Sequence, residues 1–471
     1  MSASLHRWAH RAGVVATALL TLVVVVLAAL QLPPVATWVA QRLLPLIPLN
    51  PGYRLDVARV SGDWIHGLDL QGVRLRHADT ELGRIDRLRI GYDPRRLWGA
   101  QTRLRELAIE GAEVHARRVN GSWDLAQALR RSSDATGGGG AFVVDRVELR
   151  NVRVAAQLSP DSVIRIRSLT LRARGLVLGP QIVLTLDEFG AAVAPPGSTQ
   201  WFSLSARGAL APDEVRLDPI RVQTERSDVA GRIVLPRRFT GARQVDRLDL
   251  RLAANPLALA DVAALAPSVR SEGALHLEAT AKGSEGRLVT ARLAGRLDAA
   301  SFELNGRATL DRGRPSAYRA HGAVRRLDPA RLLRSAPVGT INADLDADLR
   351  GTSLPQAAGT LGLRVTDSRV GARSVDRIDL RGTIDTGRAK LSLRAGAGPA
   401  ALRADGWARP FDSIPAYQFA GNARRLPGTD SLVRTLAGAA GNPVLDVGFN
   451  VRGTGFAPAS ARLAGRITLA A

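Results

Sequence analysis

From Pro51 onward the chain alternates apolar and polar residues, most clearly over Ile341–Arg350. There Ile341, Ala343, Leu345, Ala347 and Leu349 fall on one side, and Asn342, Asp344, Asp346, Asp348 and Arg350 on the other. A period of two sets one face of a strand in a greasy environment and the other in water. Leu275–Lys282 repeats the pattern, with Leu275, Leu277, Ala279 and Ala281 alternating with His276, Glu278, Thr280 and Lys282. Arg84–Ile90, Ile164–Leu171, Arg247–Leu252 and Arg377–Leu380 read the same way. Such runs, closely spaced and parted by Gly- or Asp-rich turns, predict antiparallel sheet rather than βαβ units.

Helical signals are few and short. Asp124–Arg131 (DLAQALRR) has an N-capping Asp and helical apolar spacing. Asn255–Leu265 and Asp328–Leu333 each begin with a capping residue followed by Pro, the pattern of a helix start. These predict plugs or caps, not a second layer. Ser132–Gly140 (SSDATGGGG) reads as a linker.

Two internal repeats stand out. Tyr318–Leu327 and Tyr417–Leu426 share Tyr-x3-Gly-x2-Arg-Arg-Leu, and ARLAGR occurs at Ala291–Arg296 and Ala461–Arg466. Units with one greasy face must stack to bury it, which predicts an elongated sheet or solenoid. About 30 strands at about 4.8 Å would extend roughly 140 Å. The apolar face either closes on itself as a sandwich core or stays open as a trough able to hold acyl chains, and the alternation is compatible with both.

The N-terminal region is of another kind. No charged residue lies between Ala12 and Gln41, and Val14–Leu30 is almost wholly apolar, through Val14, Leu19, Leu20, Leu22, Val24, Val26, Leu27 and Leu30. About 20 such residues span a bilayer as a helix, and Pro33 and Pro34 end the run. Arg7 and Arg11 precede it, and positive charge on that side keeps the N-terminus cytoplasmic and exports the rest. Trp8 and Trp38 flank the segment at interface positions. The alternative is a cleaved signal peptide, whose apolar region is shorter; Ala28 and Ala29 form only a weak cleavage site.

Composition narrows the function. The 471 residues include 65 basic and 43 acidic ones, a formal charge of +22, and Lys282 and Lys390 are the only lysines. The arginines are spread from Arg7 to Arg466 rather than gathered on one face with aromatics, so nucleic acid is not expected as a partner. Arginine written for lysine on solvated strand faces, or affinity for anionic lipid, accounts for the charge. With no Cys, disulfides and thiolate metal sites are excluded. The seven histidines show no metal-ligand spacing, and HExxH, P-loop and GxSxG motifs are absent. Asp344, Asp346 and Asp348 share one strand face and lack the Gly and Glu of a calcium loop, so they read as solvated. Neither catalytic residues, a metal nor a cofactor is expected, and the chain reads as a non-enzyme.

Several short motifs in order carry a family resemblance. After the apolar segment come Val60–Leu75 (VSGDWIHGLDLQGVRL), Arg87–Leu97 (RLRIGYDPRRL), Leu107–Val114 (LAIEGAEV) and Asn120–Leu125 (NGSWDL). This series resembles the AsmA-like superfamily, and within it the N-terminal part of the TamB family; the repeats from Gly273 onward are similar to generic AsmA-like repeats. The resemblance implies an inner-membrane anchored, periplasmic β-groove in outer-membrane biogenesis. Relatives are implicated in phospholipid transport between the two membranes, and TamB-type proteins act with the outer-membrane barrel TamA. TamB-type chains are longer and end in a domain that meets TamA, whereas this chain stops just after its second ARLAGR, so a C-terminal truncation is expected.

The expected fold is mainly β: an N-terminal transmembrane helix, then an elongated, repeat-built antiparallel β-sheet groove or solenoid with a few short helices. The expected parts are a cytoplasmic N-terminus (1–11), an anchor (12–32), a TamB/AsmA-like β module (33–131), a linker (132–140) and a repeated groove region (141–471). Leu275, Leu277, Ala279, Ala281, Ile341, Ala343, Leu345, Ala347 and Leu349 are the candidate lipid-facing residues. The expected partners are the inner membrane, phospholipid acyl chains and a TamA-like barrel. The rival expectation is a scaffold or chaperone that pairs a free sheet edge with outer-membrane β proteins.

Overall fold

A computed structural model describes residues 52–63, 66–78, 80–93, 103–119, 122–124, 142–159, 161–178, 181–238, 242–311, 314–371, 373–410, 412–427, 444–455 and 462–470. The expected anchor, with Arg7 and Arg11 before it, the linker 132–140 and nearly all of the helix predicted over Asp124–Arg131 lie outside them. No helix among the described residues is long and apolar enough to cross a membrane.

The protein is mainly β, and its chain forms two compact units. The first comprises Met1–Pro212 with Arg216–Val222, and the second Asp213–Val215 with Gln223–Ala471. In the first unit lie β1 (Tyr53–Asp63), β2 (Gly67–His77), β3 (Thr80–Tyr92), β4 (Arg103–Val119), β5 (Ser122–Trp123), β6 (Phe142–Ser159), β7 (Ser162–Leu178), β8 (Val183–Ala194), β9 (Phe202–Leu210) and most of β10 (Glu214–Gln223). The second holds β11 (Asp228–Pro236), α1 (Ala242–Val245), β12 (Asp249–Ala258), α2 (Leu259–Leu265), β13 (Ala274–Ser284), β14 (Leu288–Leu297), β15 (Ala300–Asp311) and β16 (Arg314–Leu327). It continues with α3 (Pro329–Leu332), β17 (Gly339–Arg350), β18 (Ala358–Val370), β19 (Arg373–Asp385), β20 (Arg388–Ala397), β21 (Ala400–Arg409), β22 (Ala416–Pro427), β23 (Val444–Thr454) and β24 (Arg462–Ala470). The described strands number 24 rather than about 30, because many run longer than the alternating stretches that announce them.

Within the second unit every strand from β11 to β24 pairs antiparallel with the next. Tight hairpins enforce this order. Between β19 and β20 the turn is Thr386-Gly387, both at positive φ (44° and 79°), the conformation whose twist matches flanking strands. The first unit departs from the expected all-antiparallel sheet at one place. There β4 pairs parallel with β6, from Arg103↔Val143 to Arg117↔Gln157. A parallel pair needs a long return connection, and residues 118–142 supply the chain for one. The boundary between the two units falls near residues 212–223.

The two expected helix starts behave differently. Asp328 caps α3 as anticipated, its carboxylate accepting from the Ala330 N–H at 3.1 Å. Asn255 and Pro256 do not start α2; they remain in β12 at a bulge, and α2 begins at Leu259. The Asn255 side chain is instead committed across the sheet, its Oδ1 standing 2.7 Å from His276 Nδ1. Both helices lie beyond strand ends. The segments that follow them pair through Val269 and Leu333, and the Arg270 N–H donates to the Leu332 carbonyl at 2.9 Å.

Burial is concentrated in a few places. In the first unit Val57, Val60 and Val73 form one core and Val144, Val147 and Ala173 another. In the second, Ala258, Leu259 of α2, Leu297 and Ala300 are buried. Asp261 of α2 is also buried, and it accepts hydrogen bonds from the Thr224 and Ser227 hydroxyls. Ser227 Oγ in turn accepts from the Ala258 N–H at 2.9 Å, tying the entry of α2 to the start of β11.

Candidate functional site

Register turns the alternation of single strands into rows that run across the second unit. Leu345 stands opposite Gly322 on β16 and Leu363 on β18. Followed outward, the same row reads Gly231, Leu252, Ala279, Leu293, Leu304, Gly322, Leu345, Leu363, Leu380, Leu393, Ala404, Gly421 and Phe449, one residue from each strand β11–β23. Every member is apolar or glycine. The row through Leu277 and Ala343 and the row through Ala281 and Ala347 are equally unbroken over the same strands. A fourth, through Leu349, runs from Gly283 of β13 to Gly453 of β23.

The nine candidate residues therefore share one face. Leu277, Ala279, Ala281, Ala343, Leu345, Ala347 and Leu349 sit in the four rows; Leu275 and Ile341 lie at its margin, opposite Leu297 and Leu327. At about 4.8 Å per strand and about 7 Å per row, the four rows extend over a footprint of roughly 1,200 Å². Along the sheet the second unit's main strands pack chiefly on their ladder neighbours. Exposure along the rows varies: Leu345, Leu363, Leu380 and Leu393 are half-buried, Leu304 is 39% exposed, and Ala254, Ala404 and Ala423 are buried.

Glycine and aromatic residues complete the surface, and the alternation gave no sign of how they fit together. Gly421 lies opposite Phe449, Gly406 opposite Phe419 and Gly295 opposite Phe302. In each pair the ring occupies the space a glycine Cβ would take. The Tyr-x3-Gly-x2-Arg-Arg-Leu repeat is structural: Tyr318 and Tyr417 share one row and Gly322 and Gly421 another. Both copies end in a bulge, with Arg326 and Arg425 at φ 51° and 53°. The ARLAGR copies are not equivalent, since Leu293 falls in the Leu345 row and Leu463 in the row of Tyr417.

The opposite face is one of matched charge. Asp344, Asp346 and Asp348 each meet a side chain of β16: Arg325 at 2.6 Å, the His321 ring at 2.7 Å and Arg319 at 2.8 Å. Arg364 of β18 reaches Asp379 of β19 at 3.1 Å, and Arg377 holds the same carboxylate. Bonding first to Arg377 and then to Arg364 keeps the Asp379 carboxyl below the ordinary aspartate range. In the first unit Arg150 and Arg172 do the same for Glu148, at 2.6 and 3.0 Å. These acids are committed to neighbouring arginines or, for Asp346, to His321, and no group of three metal-ligating side chains occurs among the described residues.

The anchor candidates Val14 to Leu30 lie outside the described residues. No family model, curated protein or solved structure matches the chain.

Proposed function

We propose that this chain is an inner-membrane anchored periplasmic protein whose apolar sheet face conducts phospholipid acyl chains between inner and outer membrane. The observation that carries the reading is the set of unbroken apolar rows across β11–β23. An acyl chain is a linear apolar object, and a strip of Leu, Ala and Gly with no polar interruption offers it no barrier to sliding. Headgroups stay in water beyond the strip. No residue performs a chemical step, and the rows act collectively. The apolar segment Val14–Leu30 supplies the attachment, and Arg7 and Arg11 set its direction.

A photo-crosslinking amino acid at Leu345, introduced in cells and read by mass spectrometry, tests this. Phospholipid adducts at Leu345 and none at Asp346 are expected. Protein adducts alone at Leu345 would replace the conduit with a scaffold for outer-membrane proteins.

A further inference from the structure

On the polar face of the second unit several cations have no ion-pair partner among the described residues, and three of them gather at β19 and β20: Arg381 of β19 and Arg388 and Lys390 of β20. All three line one cleft of about 1190 Å³ together with Thr383 and Trp407. Register builds it: Thr383, Lys390 and Trp407 stand in one row, and Gly362 and Arg381 in the next. Gly362 opens the floor, because between Asp346 and Arg381 it offers no side chain, and its Cβ position has no heavy atom nearer than 3.9 Å. The Arg388 guanidinium lies 4.5 Å from the centroid of the Trp407 ring, which orients the arginine beside the cleft.

We infer that this cleft binds a phosphoester anion, held by Arg381, Arg388 and Lys390 with the non-ionic part of the ligand against Trp407. Guanidinium forks match phosphate oxygens in pairs, Lys390 adds a point charge, and the Thr383 hydroxyl can donate a further hydrogen bond. The acids at the rim each have a nearer partner than the three cations. Asp348 is held by Arg319 and Asp346 by His321, while Asp405 is bonded by Ser392 and paired with Arg403 at 3.5 Å. The cleft lies on the polar face of the strands that carry the apolar rows, so it does not depend on the conduit reading. The phosphoester belongs either to a lipid headgroup or to a soluble phosphate compound.

The test uses the full chain reconstituted in phosphatidylcholine vesicles and follows tryptophan fluorescence. One arm adds inorganic phosphate; the other adds mixed phosphatidylcholine–phosphatidylglycerol vesicles. A saturable change is expected, absent in Trp407→Phe, with affinity reduced about tenfold or more in Arg381→Gln/Lys390→Gln and in Arg388→Gln alone. Arg292→Gln, which removes an arginine paired with Glu303 at 3.0 Å elsewhere on this face, leaves it unchanged. A response to phosphate supports a soluble ligand, and a response to the mixed vesicles alone supports a headgroup. No response in either arm, a response that survives Trp407→Phe, or an equal loss in Arg292→Gln overturns the site.

Discussion

The ring of Phe449 lies over Gly421, the residue directly opposite it on the neighbouring strand, with its Cζ 2.8 Å from where a Cβ on that glycine would stand. The ring fills the gap left by the glycine and closes the row without a bump. Gly421→Ala forces the ring or the backbone to move, and overpacking of this kind costs about 1–3 kcal/mol. Gly448→Ala is the control, since its Cβ would meet only Thr468 at 4.0 Å, and a change within about 0.5 kcal/mol is expected. Urea unfolding of both variants measures the difference; because a Cβ on Gly421 would also press on the Arg403 carbonyl oxygen and the Ala404 Cα, equal losses would mean that neither ring nor backbone is fitted closely around this glycine.

Charge in the middle of a row should act differently from charge beside it. Leu345→Lys places an ammonium between Gly322 and Leu363, whereas Asp346→Lys changes a residue already in water. Under the conduit reading, lipid transfer between donor and acceptor vesicles falls about tenfold or more in the first, the penalty of an ion in an apolar strip, and less than about twofold in the second. Leu277→Lys against Glu278→Lys repeats the comparison on β13. Similar losses on both faces, after correction for the amount of folded protein, would end the conduit reading.

Ser227 joins three groups: its hydroxyl donates to the buried Asp261 carboxylate and accepts from the Ala258 N–H, and its own N–H donates to Thr224 Oγ1 at 2.8 Å. Ser227→Ala leaves the carboxylate and the Ala258 amide each one partner short. The expected loss is about 1–3 kcal/mol in a chemical unfolding curve, the usual penalty for an unsatisfied buried group. A loss below about 0.5 kcal/mol would mean that water or a relaxed backbone takes the place of the hydroxyl.

Acid should weaken the second unit partly through Asp379. Its carboxyl is held below the ordinary range by Arg377 and Arg364, so the pairing contributes in full above the unfolded aspartate pKa of about 3.9 and is lost as pH falls through the lower folded value. Unfolding midpoints taken from pH 5 downward should therefore fall. Asp379→Asn, which carries no titrating proton, should fall less steeply over the same interval. Identical slopes would show that the ion pair is formed equally in the unfolded chain.

Much of the fold is legible from alternation alone, because one strand face must meet water and the other must not. Ile341–Arg350 and Leu275–Lys282 became strands on that ground, and their apolar residues came together on one face. The rows themselves were not legible: they depend on register, which is fixed by turn lengths and by bulges such as those at Arg326 and Arg425. For the same reason Asp344, Asp346 and Asp348 could be read as solvated but not as partners of Arg325, His321 and Arg319. Asn255-Pro256 was read as a helix start because the pair carries the local signal. Its bond to His276 on the next strand is a tertiary contact that no local rule foresees. The parallel β4–β6 ladder follows from where a long connection returns, which local pattern does not record.

The bulges at Arg326 and Arg425 bear on how such a chain can change in length. Removing one hairpin from β13–β23 would take away two strands, about 10 Å of sheet, and leave every row in phase. Adding a single residue within a strand would turn all that follows inside out, unless the extra residue is set aside in a left-handed kink. Arg326 and Arg425 already occupy such kinks, at matching places in two copies of one motif. They mark where single-residue insertions are absorbed, while whole hairpins act as interchangeable increments of length.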